Sequence, residues 1–265
     1  MIQKNLFGGI VKNDMKFKPL EKLDIHISGL IGHNKPLCCI ATNFGFSLGM
    51  ESSYSMTCNN CKLGFVDNPF KKYEHEKHVK TVMKHKPKYA TVRDIFNESQ
   101  AKANELEYIS PEIVMDHARL FISNGVIPIV IPKSEEMLHH IMKMDDIEKC
   151  VIGYSAASIK FGAMKRHLNV KDFLEYDIKI HLLGGTPETQ VENLKKFEDK
   201  VVSIDSAIIS DRIRHKHLWP YDNKEWKHMF DVINDNKFFN GYSSMTVATS
   251  ISLMNYYMFL RERLE

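Results

Sequence analysis

Two aspartates close short apolar runs in this chain: Asp94 ends "YATVRD" and Asp205 sits within "VVSIDSA". A carboxylate inside a β-branched run is costly to bury unless donors or substrate groups meet it. Two carboxylates that converge from different strands suit a nucleophile and a partner that binds, protonates or deprotonates, as in glycosyl transfer. Either acid can instead cap the helix that follows. Gly184-Gly185, ahead of Thr186, lets backbone amides approach a ligand beside a helix N-terminus, which favours a carbonyl oxygen or anion. A tight turn needing positive φ explains the same pair. Gly153 in "VIGYS" can let a flat ring lie against the backbone, or relieve crowding.

Cys58 and Cys61 in "MTCNNCK" have the spacing of half a zinc site. Cys38, Cys39, His33, His75 and His78 are candidates for the other half. Reduced cysteines are the plainer alternative, and zinc here would be structural, since the chemistry above needs no cofactor. Five cysteines in a chain without an evident export signal argue for reduced thiols. The net charge of +3 permits a nucleic-acid partner without demanding one. Its distribution is more telling: Lys71, Lys72, Lys77, Lys80, Lys84, Lys86 and Lys88 crowd one segment, which reads as a phosphate contact or a solvated helix face. Arg212 and Arg214 begin "RIRHKHLWPYDNKEWKH", where cations and aromatics mix as in a groove for a single strand or flipped nucleotide, or as in ordinary packing.

The elements that must position these residues follow from apolar runs alternating with amphipathic segments. Strands are expected at 37–44, 89–95, 126–132, 150–156, 178–184 and 201–207, with a weaker one at 238–242. Most lack strict alternation, as in parallel strands buried on both faces. Helices fit 74–86, 134–144, 165–174, 187–198, 222–235 and 244–263, with another from Pro111 to Gly125. Ser110-Pro111-Glu112 and Thr186-Pro187-Glu188 carry start signals: a side-chain acceptor, a proline and an acid in the first turn.

Repeated β-then-α units without a linker predict a single α/β domain over 1–265, a TIM-like (β/α)8 barrel with a cysteine-containing insertion after the first strand. No G-x-G-x-x-G or Walker A loop marks an open nucleotide-binding sheet. Chemistry then gathers at the C-terminal strand ends, at Asn43, Asp94, Lys133, Ser155, Gly184, Gly185 and Asp205. No apolar run reaches the length of a membrane span, and "MIQKNLFGGI" lacks a signal-peptide core, so a cytoplasmic protein without a membrane partner is expected. Tyr256, Tyr257 and Phe259 suit core or a subunit contact, compatible with a homodimer.

"IHLLGGTPET" followed by "VVSIDSAII" resembles the segment of queuine-type tRNA-guanine transglycosylases in which a Leu-Met-Gly-Val-Gly-Thr-Pro-Glu loop precedes the strand bearing a nucleophilic aspartate. "KYATVRDI" and "CVIGYSAAS" are similar to the strands that recognise the guanine. "FVDNPFKKYEHEKHVKTVMKHKPKYATVRD" is closer to phage-associated DNA-7-deazaguanine transglycosylases. The resemblance spans about residues 36–210 in short motifs.

It implies that Asp205 attacks the anomeric carbon of a deoxyguanosine, that Asp94 bonds the amino and ring N–H groups of the base, and that Gly153, Tyr154 and Ser155 line its pocket with Gly184 and Gly185. A 7-deazaguanine such as 7-cyano-7-deazaguanine would replace guanine in DNA, with overall retention. The nucleotide must be extruded or single-stranded. A phage-encoded enzyme would work in the host cytoplasm. The family's Asp-Ser-Gly-Gly-Phe acid finds its nearest match in "TNFGF", which puts Asn43 at the acid/base position and leaves no proton donor there. No cysteine lies beyond Cys150, so the late zinc site of the tRNA enzymes is absent. A tRNA transglycosylase, a hydrolytic DNA glycosylase and a non-catalytic nucleic-acid-binding barrel remain alternatives.

Overall fold

The computed structural model describes residues 23–30, 36–55, 61, 63–69, 72–155, 168–218, 227–228 and 244–264. Eight parallel strands close a barrel in sequence order: β1 (Asp24–Ser28), β2 (Ser47–Glu51), β3 (Leu63–Asp67), β4 (Tyr89–Thr91), β5 (Ile127–Val130), β6 (Val151–Ser155), β7 (Ile180–Leu183) and β8 (Val201–Ser206). β8 closes on β1 with His26 opposite Asp205. This is the expected TIM-like barrel, and the five strands expected from 89 to 207 all form.

The first expected strand does not. Residues 37–44 fall in α1 (Pro36–Asn43) and the turn after it, with the proline at the first helical position. The true early strands, β1 to β3, read DIHIS, SLGME and LGFVD, whose polar residues and glycines break up any continuous apolar run. Among the described residues, the early cysteines fall in two places, Cys38 and Cys39 in α1 directly after β1 and Cys61 between β2 and β3.

The helices α2 (His75–His85), α3 (Glu98–Ala103), α4 (Pro111–Ser123), α5 (Glu135–Ile141), α6 (Val170–Leu174) and α7 (Pro187–Phe197) lie between successive barrel strands, and α8 (Ile208–Arg214) and α9 (Ser244–Leu264) follow the last one. Thr186 caps α7 by accepting from the Thr189 amide, as its spacing implies. Ser110 precedes α4 without a side-chain cap bond. Within the expected helix 222–235, Lys227–His228 instead pairs antiparallel with His217–Leu218 as β10 on β9. The weak strand at 238–242 lies outside the described residues.

Apolar residues form two layers. Ile27, Leu48, Val66, Ala90, Val130, Ile152, Leu182 and Ile204 point outward and pack beneath the helices. Phe65, Tyr89, Ile129, Ile131 and Val151 form a smaller cluster inside the barrel. The period-two alternation of a strand separates the layers and sends the polar residues of β1, β3 and β8 toward the axis.

Candidate active site

The inward residues of β8 are Ser203 and, one step nearer the C-terminal end, Asp205, which is 8% exposed. Ser28 closes β1 alongside it and donates from Oγ to Asp205 Oδ1 at 2.5 Å. Gly49 on β2 makes room for this pair: a Cβ there would overlap Ser28 Oγ and lie 3.1 Å from Asp205 Oδ1. Asp67 ends β3 by the same alternation that puts Phe65 in the barrel. Its Oδ1 accepts from Thr91 Oγ1 and from the Asn68 amide, each at 2.9 Å. Asp94 and Lys133 follow β4 and β5 and form an ion pair at 3.0 Å, both largely shielded from solvent. The mouth thus gathers three carboxylates and one ammonium from four successive or closing strands.

The environments of Asp67 and Asp205 divide their protonation. Burial raises the Asp205 carboxyl to about 7, against the Ser28 hydroxyl and Ser206 amide, which favour its anion. Burial likewise raises Asp67 to about 7, and the negative charges of Asp205 and Asp94 push in the same direction. The two interact, so they titrate as a pair rather than independently. Each carboxyl has two donors that favour its anion, Ser28 and the Ser206 amide at Asp205 and Thr91 and the Asn68 amide at Asp67, so it is the Asp94 charge beside Asp67 that tips the shared proton toward Asp67.

Beneath the carboxylates lies a neutral floor. Phe65 stacks between His26 and His181, with ring centroids 5.5 and 5.0 Å away. Burial lowers His26 to about 4 and takes His181 well below its ordinary value. His181 Nδ1 and Ser203 Oγ are 2.7 Å apart, and His26 bonds Ser47. Uncharged imidazoles provide no counter-ion for the acids above them, which is why burial dominates the carboxyl shifts.

Asp205 is also positioned through its backbone. Gln190 Nε2, from α7, donates to the carbonyls of Asp205 and Gly184 at 3.0 Å each, and the Gly184 amide donates to Asp205 O at 3.1 Å. Tyr256 on α9 donates from its hydroxyl to Gln190 Oε1. Gly184 and Gly185 have φ of 66° and 92°, the turn conformation that glycine adopts without a Cβ penalty.

A family profile matches residues 41–258. The chain belongs to DUF6610, a family of unknown function. No curated protein matches it. Among solved structures, an N-acetylmannosamine-6-phosphate 2-epimerase from Clostridium perfringens is similar at 10% identity and a TM-score of 0.42, covering 70% of this chain and 85% of the other. A thiamine phosphate pyrophosphorylase from Pyrococcus furiosus is similar at 13% identity and a TM-score of 0.46, covering 92% and 98%. At these scores neither likeness bears on chemistry.

Several residues expected at the site of this DUF6610 chain are elsewhere. Asn43 is exposed at the end of α1, because its segment is helix, so it is no strand-end residue. Tyr154 points outward: its ring meets Phe173 and Phe197 edge-on in the layer under the helices. Gly153 relieves crowding, since a Cβ there would meet Ile131, Ile129 and Leu183. Ser155 ends β6 opposite Leu183 and remains at the mouth with Gly184 and Gly185.

The basic segment divides along its length. α2 runs from the mouth side back toward the start of β4, so Lys88 lies at the far end, bonded to Asp24 at 2.6 Å. Lys84 and Lys86 are exposed toward that end, while Lys72, Lys77 and Lys80 are exposed on earlier positions. Lys71 lies outside the described residues. Arg212 and Arg214 are exposed in the last turn of α8, and Arg214 reaches the side of Gly29, next to Ser28. Cys58, His33, Trp219 and Trp226 also lie outside the described residues. His75 stacks on His117 at 3.7 Å, and His78 Nε2 bonds the Thr91 carbonyl at 2.7 Å, so neither joins a cysteine site.

The site residues missed in the sequence are Ser28, Asp67 and Gln190. Asp67 had a signal: "LGFVD" is a short apolar run closed by an acid, the same pattern as Asp94 and Asp205.

Proposed function

We propose that this chain is a glycosyl-transferring barrel that exchanges guanine in DNA for a 7-deazaguanine through an aspartyl nucleoside on Asp205, with Asp67 as acid and base. The observation that carries the reading is the convergence of Asp205 and Asp67 at the mouth in environments that favour charge on the first and a proton on the second. The Asp205 carboxylate attacks C1′, and the glycosidic electrons leave with guanine as Asp67 gives up its proton. The incoming base then attacks C1′ from the face that guanine left, returns a proton to Asp67 and releases the carboxylate, so configuration is retained. Lys133 bonds one oxygen of Asp94, whose second oxygen can accept from the N–H edge of the base. Asp67 supplies the donor that Asn43 lacks, which removes the main argument for a non-catalytic barrel. The resemblance noted above favours DNA over other acceptors.

Duplex DNA, single-stranded DNA and tRNA incubated with labelled guanine or 7-cyano-7-deazaguanine test this reading. Label should enter DNA with the wild type and fail to enter with Asp205→Ala. Label in tRNA alone, an abasic product without exchange, or undiminished incorporation by Asp205→Ala each rejects it.

A further inference from the structure

We infer that Cys38, Cys39 and Cys61 bind a structural zinc ion that clips α1 to the entry of β3. The three Sγ atoms lie within 4.8 Å of one another. Cys39 Sγ is 3.3 Å from Cys61 Sγ, which is 3.5 Å from Cys38 Sγ. They come from two segments: Cys38 and Cys39 from the first turn of α1, and Cys61 from two residues before β3. A buried thiol usually packs as a small hydrophobe, which accounts for Cys150 with its Sγ near the Asp146 carbonyl at 3.5 Å. It does not account for three sulfurs converging from separate elements.

The geometry suits a tetrahedral thiolate site. Zinc–sulfur bonds of about 2.3 Å at tetrahedral angles hold sulfurs roughly 3.8 Å apart, so the two separations from Cys61 open by a few tenths of an ångström and the Cys38–Cys39 pair shifts by about 1 Å at most. Binding converts three thiols into three Zn–S bonds and releases three protons to solvent; the ion keeps a fourth position for a further ligand. The complex carries net negative charge, which the positive N-terminal end of α1 favours. Cys38 and Cys61 are 1% and 8% exposed, whereas Cys39 is half-buried and gives the ion a way in. Soft thiolate ligands select zinc over magnesium or calcium.

Cys61 precedes β3 and Asp67 ends it, so the ion would hold the far end of the strand that carries the acid, without joining the chemistry. Of the candidates set beside the Cys58 and Cys61 spacing, Cys38 and Cys39 are the ones that meet Cys61, while Cys58 lies outside the described residues. The inference stands apart from base exchange, because its test reads metal and spectra rather than turnover.

Metal analysis and native mass spectrometry of the purified full chain test it. About one zinc per chain is expected. Cys39→Ser and Cys61→Ser should each lower zinc at least tenfold, while Cys150→Ser keeps it. Should the serine variants fail to fold, wild type exchanged with cobalt still decides: it should show thiolate-to-cobalt charge transfer and the intense visible bands of a tetrahedral ion, and Cys39→His should keep cobalt with weaker charge transfer. Less than a tenth of an equivalent of zinc, copper or iron in its place, a Cys39–Cys61 disulfide in the purified chain, or a cobalt spectrum without thiolate bands overturns the inference.

Discussion

Asp67 and Asp205 are the same residue type at the same kind of position, and their neighbours give them different work. Both carboxyls accept from two donors that favour the anion, but Asp67 alone also faces the Asp94 charge, which with Asp205 raises it. Activity should therefore follow a bell in pH. It falls on the acid side as Asp205 takes up a proton, and on the alkaline side, above about 7, as Asp67 loses its own. Asp67→Asn keeps an acceptor for Thr91 and Asn68 but cannot donate a carboxyl proton. The variant should lower kcat for exchange about 10²–10⁴-fold and lose the alkaline limb. A wild-type alkaline limb preserved in the variant would assign that proton to another group. The pair also shows what the sequence hid at this scale: Asp205 and Asp94 were legible as acids closing apolar runs. Asp67 closes one too, but its strand lies beside a segment whose helical character was misread.

At the scale of elements, β4 to β8 were legible because each lies in a distinct apolar run, and α4 and α7 because their starts carry proline and acid, whereas the short α3 and α8 were not. β1 to β3 were not, since "LCCIATN" is apolar enough to pass for a buried strand and only the tertiary contacts of α1 with α9 make it a helix. The acid/base position at Asn43 came from the resemblance of "TNFGF" to a family motif, whereas the proposed acid, Asp67, closes β3. Contacts far apart in sequence were also illegible, above all the path from α9 through Tyr256 and Gln190 to the carbonyls of Gly184 and Asp205. Both side chains are fully buried. Gln190→Leu fills similar volume but removes the side-chain donor to the Gly184 and Asp205 carbonyls and the acceptor of the Tyr256 hydroxyl, and it should destabilise the fold by about 2–4 kcal/mol in urea unfolding. Tyr256→Phe strands only the Gln190 oxygen and should cost about 1–2 kcal/mol. If Gln190→Leu unfolds at the wild-type midpoint, the link does not hold these elements together.

Across the whole molecule, the buried titrating groups pull stability in opposite directions with pH. Asp67 and Asp205 are raised from 3.8 to about 7, so between those values the folded chain holds protons that the unfolded chain releases. Their contribution is favourable at low pH and is lost as pH rises through about 7. His26, His78 and His117 are lowered from 6.5 to about 4, and here the unfolded chain binds the extra protons. Their contribution is present above about 6.5 and is lost as pH falls toward 4. The two sets offset each other across mildly acid pH, which flattens the stability profile of the wild type. Replacing both acids, Asp67→Asn with Asp205→Asn, leaves the histidines alone and should give stability that climbs with pH and then levels off. The variant should match the wild type near pH 4 and be clearly the more stable of the two near pH 8. Thermal melts at a series of pH values measure the gap directly. A gap that stays constant or closes as pH rises would mean that the acids are not strained in the folded chain. A gap that opens would show that the mouth keeps its carboxylates at a cost to stability, as expected of groups placed for chemistry rather than for folding.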